Sequence, residues 1–318
     1  MPPNPVDLAA QGVRTLRAFG NRIPIGGGII AQSLESAATG RNVMITGASS
    51  GIGKAAALEV GKAGGTMLLV ARSEDKLEQV KRQIEALGGT AYVHPCDLND
   101  LDDIDRMSDE VLAEHGTVDV LVNNAGKSIR RSVDRAYERF HDYQRTMQLN
   151  YFAPVKLILK LLPVMREHGH GHIINISTIG LQMNTPRFSA YVASKAALDA
   201  FSRSIGVEII RDGVHVTTVY MPLVRTPMIA PTKIYDRFPT LSPEEAGHMI
   251  AEAIRKRPKR MATVLGNIGQ LSYAMVPGAQ DLVVNRAYQL FPEGDAQAAK
   301  EPTAEQRAFA AATRGVHW

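Results

Sequence analysis

The sequence has little of several features that would place a protein in a particular class. Its 318 residues include one cysteine, Cys96, which excludes an internal disulfide and fits a reducing compartment. No apolar run approaches the ~18 residues that span a bilayer, and residues 1–4 lack the basic flank of a secretory signal. The formal net charge is only +4, too small to indicate nucleic-acid binding. We therefore expect a cytoplasmic protein without a nucleic-acid partner or a metal ion, and we leave contact with a membrane surface open.

Hydrophobic residues make up 45% of the chain, enough for one substantial core. From residue 41 onward, short apolar runs alternate with amphipathic helical stretches such as residues 73–87, a pattern typical of βαβ units and a parallel sheet. The predicted strands are residues 42–45, 66–71, 91–95, 118–123, 172–176, 215–221 and 262–265. The sequence therefore predicts a Rossmann-like, doubly wound α/β domain over residues 41–265, with an N-terminal extension (1–40) and a C-terminal helical extension (266–318).

A glycine-rich turn follows the first predicted strand. Residues 46–53 read Thr-Gly-Ala-Ser-Ser-Gly-Ile-Gly and lead from the apolar run 42–45 into a helix. Glycines allow the backbone to approach a phosphate, and the free N–H groups at a helix start favour negative charge. This turn therefore indicates a nucleotide-binding site, although such turns also serve simple helix–strand packing.

Tyr191 and Lys195 stand four residues apart in a predicted helix, so both side chains project from the same face. A neighbouring ammonium is expected to favour the phenolate and to bring the tyrosine closer to its working range. Thr178, preceded by Ser177, ends a predicted strand, where a hydroxyl can donate to a substrate oxygen. Asn150 lies within a helix predicted over residues 143–165 and could hold a water that passes protons to the lysine.

Taken together, these motifs resemble those of the short-chain dehydrogenase/reductase family over residues 41–232. The resemblance rests on residues 46–53, Cys96-Asp97-Leu98, Asn123-Asn124-Ala125-Gly126, Asn150, Ser177-Thr178, Tyr191-x3-Lys195 and residues 221–226. It implies that Tyr191 is the general acid/base, that Lys195 binds the nicotinamide ribose, and that Asn150 completes a proton relay. The cofactor-binding residues that it implies are Gly47, Ser49, Ser50, Gly51, Ile52, Gly53, Asp97, Leu98, Asn124, Ala125, Gly126, Tyr191, Lys195, Val224 and Thr226.

Two positions depart from the family pattern. The family's serine normally stands thirteen residues before the tyrosine, where this chain has Thr178. We favour Thr178 as the substrate-facing hydroxyl and keep Ser177 as the alternative. The second departure is Leu223, which replaces the usual glycine after Pro222 and adds apolar surface to that loop.

Cofactor preference can be inferred from the end of the second predicted strand. Binding of NAD usually relies on a carboxylate there, which accepts hydrogen bonds from the adenosine ribose. This strand is followed instead by Arg72 and Ser73, and a guanidinium suits a 2′-phosphate. We therefore predict NADP(H), with Arg72 as a cofactor-binding residue.

A closer resemblance concerns the substrate. Residues 126–132, 140–152 and 222–228, and the region near 255–260, look like those of bacterial fatty acyl-CoA reductases of the short-chain type, which implies reduction of a long-chain acyl thioester to the aldehyde. The loops at 181–188 and 223–238 carry apolar side chains, which suit a hydrophobic substrate or pack on each other. Reduction of a 3-oxoacyl or lipid ketone is the first alternative, and a non-catalytic NADP(H)-sensing protein is the second.

Several charged or terminal segments allow two interpretations each. Arg130 and Arg131 could bind coenzyme A or pair with Asp134 and Glu138. The basic run 255–260 could be a solvated helix end or a site for an acidic ligand. The extensions, including residues 6–19, 271–276 and 282–291, could pack on the domain or a partner subunit, or form an interfacial helix that admits a greasy substrate. The family resemblance also implies a homo-oligomer formed through the helices that bear Tyr191 and Asn150.

Overall fold

The computed structural model describes residues 33–290 except 231–234, 236–237 and 239. Its elements belong to one compact unit that begins at Leu34. The predicted amphipathic stretch at 6–19 and the tail at 291–318 lie outside the described residues. Seven strands form one sheet: β1 (Asn42–Thr46), β2 (Thr66–Ala71), β3 (Thr90–Pro95), β4 (Val120–Asn123), β5 (Gly171–Thr178), β6 (Val214–Met221) and β7 (Arg260–Met261).

Helices connect these strands. They are α1 (Leu34–Ala38), α2 (Gly51–Lys62), α3 (Glu74–Ala86), α4 (Leu101–His115), α5 (Phe140–Met147), α6 (Ala153–Glu167), α7 (Ile179–Gln182), α8 (Ser189–Glu208), α9 (Pro243–Lys256), α10 (Val264–Met275) and α11 (Pro277–Leu290). None of the helices in the described ranges is long and apolar enough to cross a membrane.

All pairings within the sheet are parallel, in the order β3-β2-β1-β4-β5-β6-β7. The order reverses direction beside β1, which creates a crevice at the carboxyl ends of β1 and β4. The doubly wound Rossmann-like fold predicted from the sequence is therefore confirmed. All of the candidate motifs that follow β1, β2, β3, β4, β5 and β6 lie along this carboxyl edge.

Both faces of the sheet are buried, which explains why the strands read as continuous apolar runs. Val43 and Ile45 of β1 pack into a cluster with α2, α3 and α9. Met44, between them, points to the opposite face and packs with residues of α4 and α6. This two-sided core holds the strand ends, and hence the loops that follow them, in fixed positions.

The last predicted strand, residues 262–265, is wrong. β7 is only Arg260–Met261, and α10 begins at Val264. The Thr263 hydroxyl accepts a hydrogen bond from the Gly266 N–H at 3.1 Å, so it caps the helix start and ends the extended segment. The predicted strand 118–123 also begins later, at Val120.

The continuous helix predicted over residues 143–165 is also wrong in detail. α5 ends at Met147, residues Gln148–Phe152 form a π-helical turn, and α6 continues from Ala153. Such turns insert an extra residue into a helix and commonly occur at functional sites. Asn150 sits in the middle of this turn and is fully buried, rather than pointing at solvent.

Candidate active site

A cleft of about 990 Å³ runs along the carboxyl edge of the sheet. The glycine turn after β1 and the ends of β2 and β3 line one part of it, and Thr178, Tyr191 and Lys195 line its middle. Its other part is lined by apolar side chains, including Met183, Phe188, Leu223, Met228, Val283 and Val284. The cleft therefore joins a polar pocket for one ligand to an apolar pocket for another.

The glycine turn forms a cradle that side chains would fill. Gly47 and Gly51 have φ angles of +69° and +54°, a region that favours glycine. A Cβ on Gly53 would lie 2.6 Å from Asn124 Nδ2, so only glycine fits there. The turn enters α2 at Gly51, where the free N–H groups of the helix start can bind a phosphate. This arrangement fits the pyrophosphate of a dinucleotide.

Thr46 joins the ends of β1 and β4 beneath that cradle. Its hydroxyl accepts hydrogen bonds from the N–H groups of Asn124 and Ala125, both at 3.0 Å. Asn124 Nδ2 in turn donates to the Thr46 carbonyl at 2.9 Å. These bonds fix the backbone of residues 124–126 along the wall of the cleft.

The end of β2 presents cations to the cleft. Arg72, Ser73 and Lys76 line it and are exposed. Asp97, after β3, is the only carboxylate among the described residues that line the cleft, and its Oδ1 already accepts two hydrogen bonds from Asn99, at 2.8 and 3.1 Å. The sequence analysis did not single out Lys76, although the sequence shows this second cation four residues after Arg72. The arrangement suits a dianionic phosphate better than a ribose diol.

Tyr191, on α8, lies half-buried beside Thr178, the last residue of β5. Burial raises the pKa of Tyr191 to about 12, and a hydrogen bond with the Thr178 hydroxyl opposes that shift. Loss of hydration dominates the pKa of Tyr191 in this structure, and the lowering by Lys195 that the sequence predicts is not seen. Tyr191 accordingly carries its proton throughout the neutral range.

Lys195 lies one turn after Tyr191 and is buried. Its Nζ donates to the Ile176 carbonyl at 2.8 Å, and burial lowers its pKa to about 8. The side chain thus crosses from α8 to the end of β5 below the tyrosine. At neutral pH it is still an ammonium with two N–H donors left for a ligand.

Asn150 lies next to Gly126 and does not itself line the cleft. Its Oδ1 accepts from the Lys127 N–H at 2.8 Å, and its Nδ2 donates to the Lys127 carbonyl and the Ser194 hydroxyl, each at 2.9 Å. A Cβ on Gly126 would lie 3.2 Å from Asn150 Oδ1 and 3.5 Å from Lys195 Nζ. The π-turn therefore brings this amide close to the lysine, as the relay hypothesis requires.

The two hydroxyls at the end of β5 have different surroundings. Thr178 Oγ1 accepts from the Gly180 N–H at 3.0 Å, which leaves its own proton free to reach Tyr191 or a ligand. Ser177 Oγ is buried without a hydrogen-bond partner. Adjacent strand residues point to opposite faces, and the face with Tyr191 belongs to Thr178.

Comparison with known proteins agrees with this geometry. The sequence profile of the short chain dehydrogenases matches residues 41–234. The chain belongs to the short-chain dehydrogenase family. This dehydrogenase is therefore an oxidoreductase, and its family uses a nicotinamide cofactor.

Named relatives are available at high identity. The dehydrogenase is 52% identical to the fatty acyl-CoA reductase of Acinetobacter baylyi, over 88% of this chain and 95% of that protein. It is 51% identical to a fatty acyl-CoA reductase of Mycobacterium tuberculosis, over 70% and 76% of the two chains. A solved metagenomic short-chain oxidoreductase in complex with NADP is 31% identical, with a TM-score of 0.60, over 71% of this chain and 100% of that one.

The sequence analysis assigned the loops 181–188 and 223–238 to the substrate pocket without singling out Arg187 or Tyr235, and it did not assign the C-terminal helix to the cleft. Tyr235 lies close enough to Arg130 and Tyr191 for their charges to affect its pKa, which burial raises to about 12. The C-terminal helix α11 contributes Val283, Val284, Ala287 and Tyr288 to the cleft wall. Arg187, in the loop after α7, contacts this helix through Tyr288. Nothing in the periodicity of residues 277–290 signals that this segment folds back onto the site.

Arg130 and Arg131 have separate roles in this dehydrogenase. Arg131 Nε donates to Asp142 Oδ2 at 3.0 Å, so its partner is Asp142 rather than the expected Asp134 or Glu138. Arg139 and Arg145 bind the same buried carboxylate, and these guanidiniums lower its pKa to about 2 although its burial acts the other way. Arg130, in contrast, lines the cleft.

The basic run at the end of α9 forms local contacts. Arg255 and Lys256 both pair with Glu252, each at 2.6 Å. Arg257 caps the helix in the left-handed conformation, with φ +47°. The Arg260 guanidinium lies 4.7 Å from the centre of the Tyr220 ring. These contacts match the helix-end interpretation of residues 255–260.

Cys96 and one histidine cluster complete the chemically active groups. Cys96 is buried, and burial together with Asp103 raises its pKa to about 12, so it is not a nucleophile. Within the described residues, His94, Glu114 and His115 form the only group of side chains with metal-binding geometry, their ligand atoms lying within 4.8 Å of one another. None of these three lines the cleft.

Proposed function

We propose that this dehydrogenase reduces long-chain fatty acyl-CoA to the fatty aldehyde, with NADPH as the reductant. The observation that carries the proposal is the continuity of the cleft, because Tyr191 lines the same cleft as the cations Arg72 and Lys76 and as an apolar wall. Such a wall suits an alkyl chain. The names of the two fatty acyl-CoA reductases described above support the same substrate class.

NADPH is preferred over NADH in this proposal because of the residues after β2. Arg72 and Lys76 would bind the 2′-phosphate, and Ser73 would donate a further hydrogen bond. Gly47, Ser49, Ser50, Gly51, Ile52 and Gly53 would surround the pyrophosphate, Asp97 and Leu98 the adenine, Asn124, Ala125 and Gly126 the adjoining wall, and Val224 and Thr226 the carboxamide. All of these residues except Gly53 line the cleft, and Gly53 packs directly beneath the turn.

When bound, NADPH supplies the hydride that adds to the thioester carbonyl carbon. Tyr191 donates its proton to the carbonyl oxygen, and the Thr178 hydroxyl supports the same oxygen as charge develops. The resulting hemithioacetal loses its carbon–sulfur bond, and the hydroxyl proton passes to the departing sulfur. One hydride and one proton thus convert the thioester to an aldehyde and a thiol.

The neutral phenol suits this direction of reaction. With a pKa of about 12, Tyr191 begins each turnover as an acid. Lys195 would bind the nicotinamide ribose while the cofactor is in place. After the proton transfer, a relay of Lys195, Asn150 and water would return a proton to Tyr191. No acyl-enzyme is required, which agrees with the inert state of Cys96.

The proposal also includes a homo-oligomer and a peripheral membrane contact. Exposed apolar side chains on the outer faces of α6 and α8, Leu159 and Val207, offer surface for subunit contacts. The membrane contact follows from the hydrophobic substrate.

The test combines two readouts on one sample. Purified protein is supplied with NADPH and palmitoyl-CoA, and NADPH oxidation is followed together with free thiol release by a disulfide dye. Matched loss of NADPH and appearance of thiol is expected. The Tyr191→Phe variant, which loses only the proton donor, should abolish both signals while still binding NADPH.

Other outcomes assign other functions. NADPH loss with a 3-oxoacyl thioester, without thiol release from either substrate, would identify a ketone reductase of the same fold. Tight NADPH binding without turnover of either substrate would identify a nucleotide-sensing protein.

A further inference from the structure

Helix α10 packs against the rest of the domain through its smallest residues. Gly266 and Gly269 are buried, and a Cβ on either would collide with Gln182 or Met183 at the end of α7. Two glycines three residues apart lie on the same side of a helix. α10 therefore packs closely on α7 through a nearly flat, small-residue face.

The opposite face of α10 carries its large apolar side chains. Val264, Ile268, Leu271 and Met275 recur at spacings of four, three and four, which places them in one stripe. Their exposures are 48%, 56%, 61% and 72%. An ordinary surface helix buries such a stripe and exposes polar residues, so α10 has the reverse arrangement.

This apolar surface continues to the mouth of the cleft. Val276, Leu282 and Val283, at the junction of α10 and α11 and in the first turns of α11, are 54%, 74% and 62% exposed. Val283 also lines the cleft. The exposed stripe and the apolar wall of the cleft are thus joined through one side chain.

The charge around this surface is positive on balance. Residues 261–280 carry no charged side chain, and between residues 257 and 290 there are four cations, Arg257, Lys259, Arg260 and Arg286, and one acid, Asp281. Arg255 and Lys256 pair with Glu252 and do not add to this balance. Arg260 donates to Asn267 Oδ1 at 3.3 Å, which places the basic run beside α10. Lys259 is exposed. Cations beside an apolar face complement a surface of anionic lipid headgroups.

We propose that α10 and the start of α11 form a docking surface for an anionic lipid bilayer, with Val264, Ile268, Leu271 and Met275 inserted among the acyl chains. The cleft mouth then opens at the level of the membrane, and an acyl chain enters along Val283 without crossing water. This role rests on the proposed lipid substrate, but the docking itself needs neither substrate nor cofactor.

A bilayer fits this surface better than a second copy of the chain does. A two-fold contact through α10 would join two surfaces that both carry net positive charge, and charge of one sign on both partners opposes such an interface. A bilayer presents the opposite charge and accepts a convex apolar stripe of this kind without a matching groove.

The experiment uses the full chain and sedimentation with vesicles. Binding is compared for phosphatidylcholine vesicles and for vesicles that also contain phosphatidylglycerol, at low and high salt. We expect stronger binding to the anionic vesicles and weakening by salt. Ile268→Ser combined with Leu271→Ser should weaken binding roughly tenfold or more, because two inserted apolar side chains are lost. Lys259→Gln should weaken binding to anionic vesicles alone.

The matched control is Val133→Ser combined with Tyr137→Ser, which removes two exposed apolar side chains elsewhere and should leave binding unchanged. Vesicle binding that is absent, or equally strong in the α10 variant and the wild type, would overturn the proposal. So would a fall in the solution mass of the α10 variant without vesicles, which would identify a second copy as the partner. Thiol release from octanoyl-CoA without vesicles tests the proposed function separately, because this shorter substrate is soluble.

Discussion

Arg187 holds Tyr288 by two contacts at once. Its guanidinium lies 3.9 Å from the centre of the Tyr288 ring, and its Nη2 donates to the Tyr288 carbonyl at 2.9 Å. Arg187 belongs to the loop that follows α7, beside Thr178, whereas Tyr288 belongs to α11. This pair therefore ties the C-terminal wall of the cleft to the loop next to the reacting groups.

Loss of the Arg187–Tyr288 contact is expected to weaken binding of the acyl substrate and to leave binding of the cofactor unchanged. Arg187→Met should raise KM for palmitoyl-CoA roughly tenfold, because one charge-assisted hydrogen bond and one cation–π contact are lost. Tyr288→Phe keeps the ring and the carbonyl and serves as the matched control, with kinetics near wild type. Equal changes in the NADPH dissociation constant and in KM would show that Arg187 does not act through α11.

The two hydroxyls at the end of β5 should behave differently when removed. Thr178→Ala is expected to lower kcat about 100-fold, since a donor to the developing charge is lost. Ser177→Ala should change kcat by less than about threefold and leave stability unchanged or raised, because its hydroxyl is buried without a partner. Steady-state kinetics of both variants decides between them, and a larger loss in Ser177→Ala would reverse the assignment.

The rate should depend on the protonation of Lys195. Its pKa of about 8 means that the ammonium loses its proton as the pH rises through that value. We expect kcat/KM for reduction to fall above pH 8, since this quantity reports the free enzyme. In Lys195→Arg, whose guanidinium stays charged, the fall should move upward by at least about two pH units. A wild-type profile that stays flat up to pH 10 would contradict the assignment.

Cofactor preference can be tested at the end of β2. Arg72→Ala is expected to weaken NADPH binding roughly 10- to 100-fold, the loss of one or two charge-assisted hydrogen bonds, with little change for NADH. Lys76→Ala should act in the same direction. Arg82→Ala removes a cation from α3 outside the cleft and is the control. Fluorescence titration measures all of these affinities, and an equal loss for both cofactors would exclude a contact with the 2′-phosphate.

Asp142 should matter for stability more than for chemistry. It is buried among Arg131, Arg139 and Arg145, and its pKa falls from 3.8 to about 2. Because the folded pKa is depressed, its contribution is present above pH 3.8 and is lost as the pH falls toward 2. Asp142→Asn should lower the free energy of unfolding by about 2 kcal/mol at neutral pH. Urea denaturation measures the free energy of unfolding of this variant and of the control Asp134→Asn, a change at an exposed site. Equal free energies for the two variants would contradict the stabilising role of Asp142.

The central sheet and the position of the site could be predicted because their signals are local and physically unambiguous. Strands buried on both faces must be apolar along their whole length, and the turn 46–53 needs its glycines for conformation and space. The four-residue spacing of Tyr191 and Lys195 is sufficient to place both on one helical face.

The errors have equally physical causes. Residues 262–265 combine apolar and β-branched side chains typical of a strand, but the Thr263 cap starts a helix one residue later. The π-turn around Asn150 adds one residue to a helix whose apolar spacing hardly changes. The reversed face of α10 could not be predicted, since periodicity reveals an apolar stripe and does not say which way the stripe points.

The state of Cys96 also bears on how the enzyme meets oxidants. Peroxides and disulfides react with thiolates, and a buried thiol with a pKa of about 12 supplies almost none at neutral pH. Because no second cysteine exists in the chain, oxidation has no reactive thiol through which it could inactivate this enzyme.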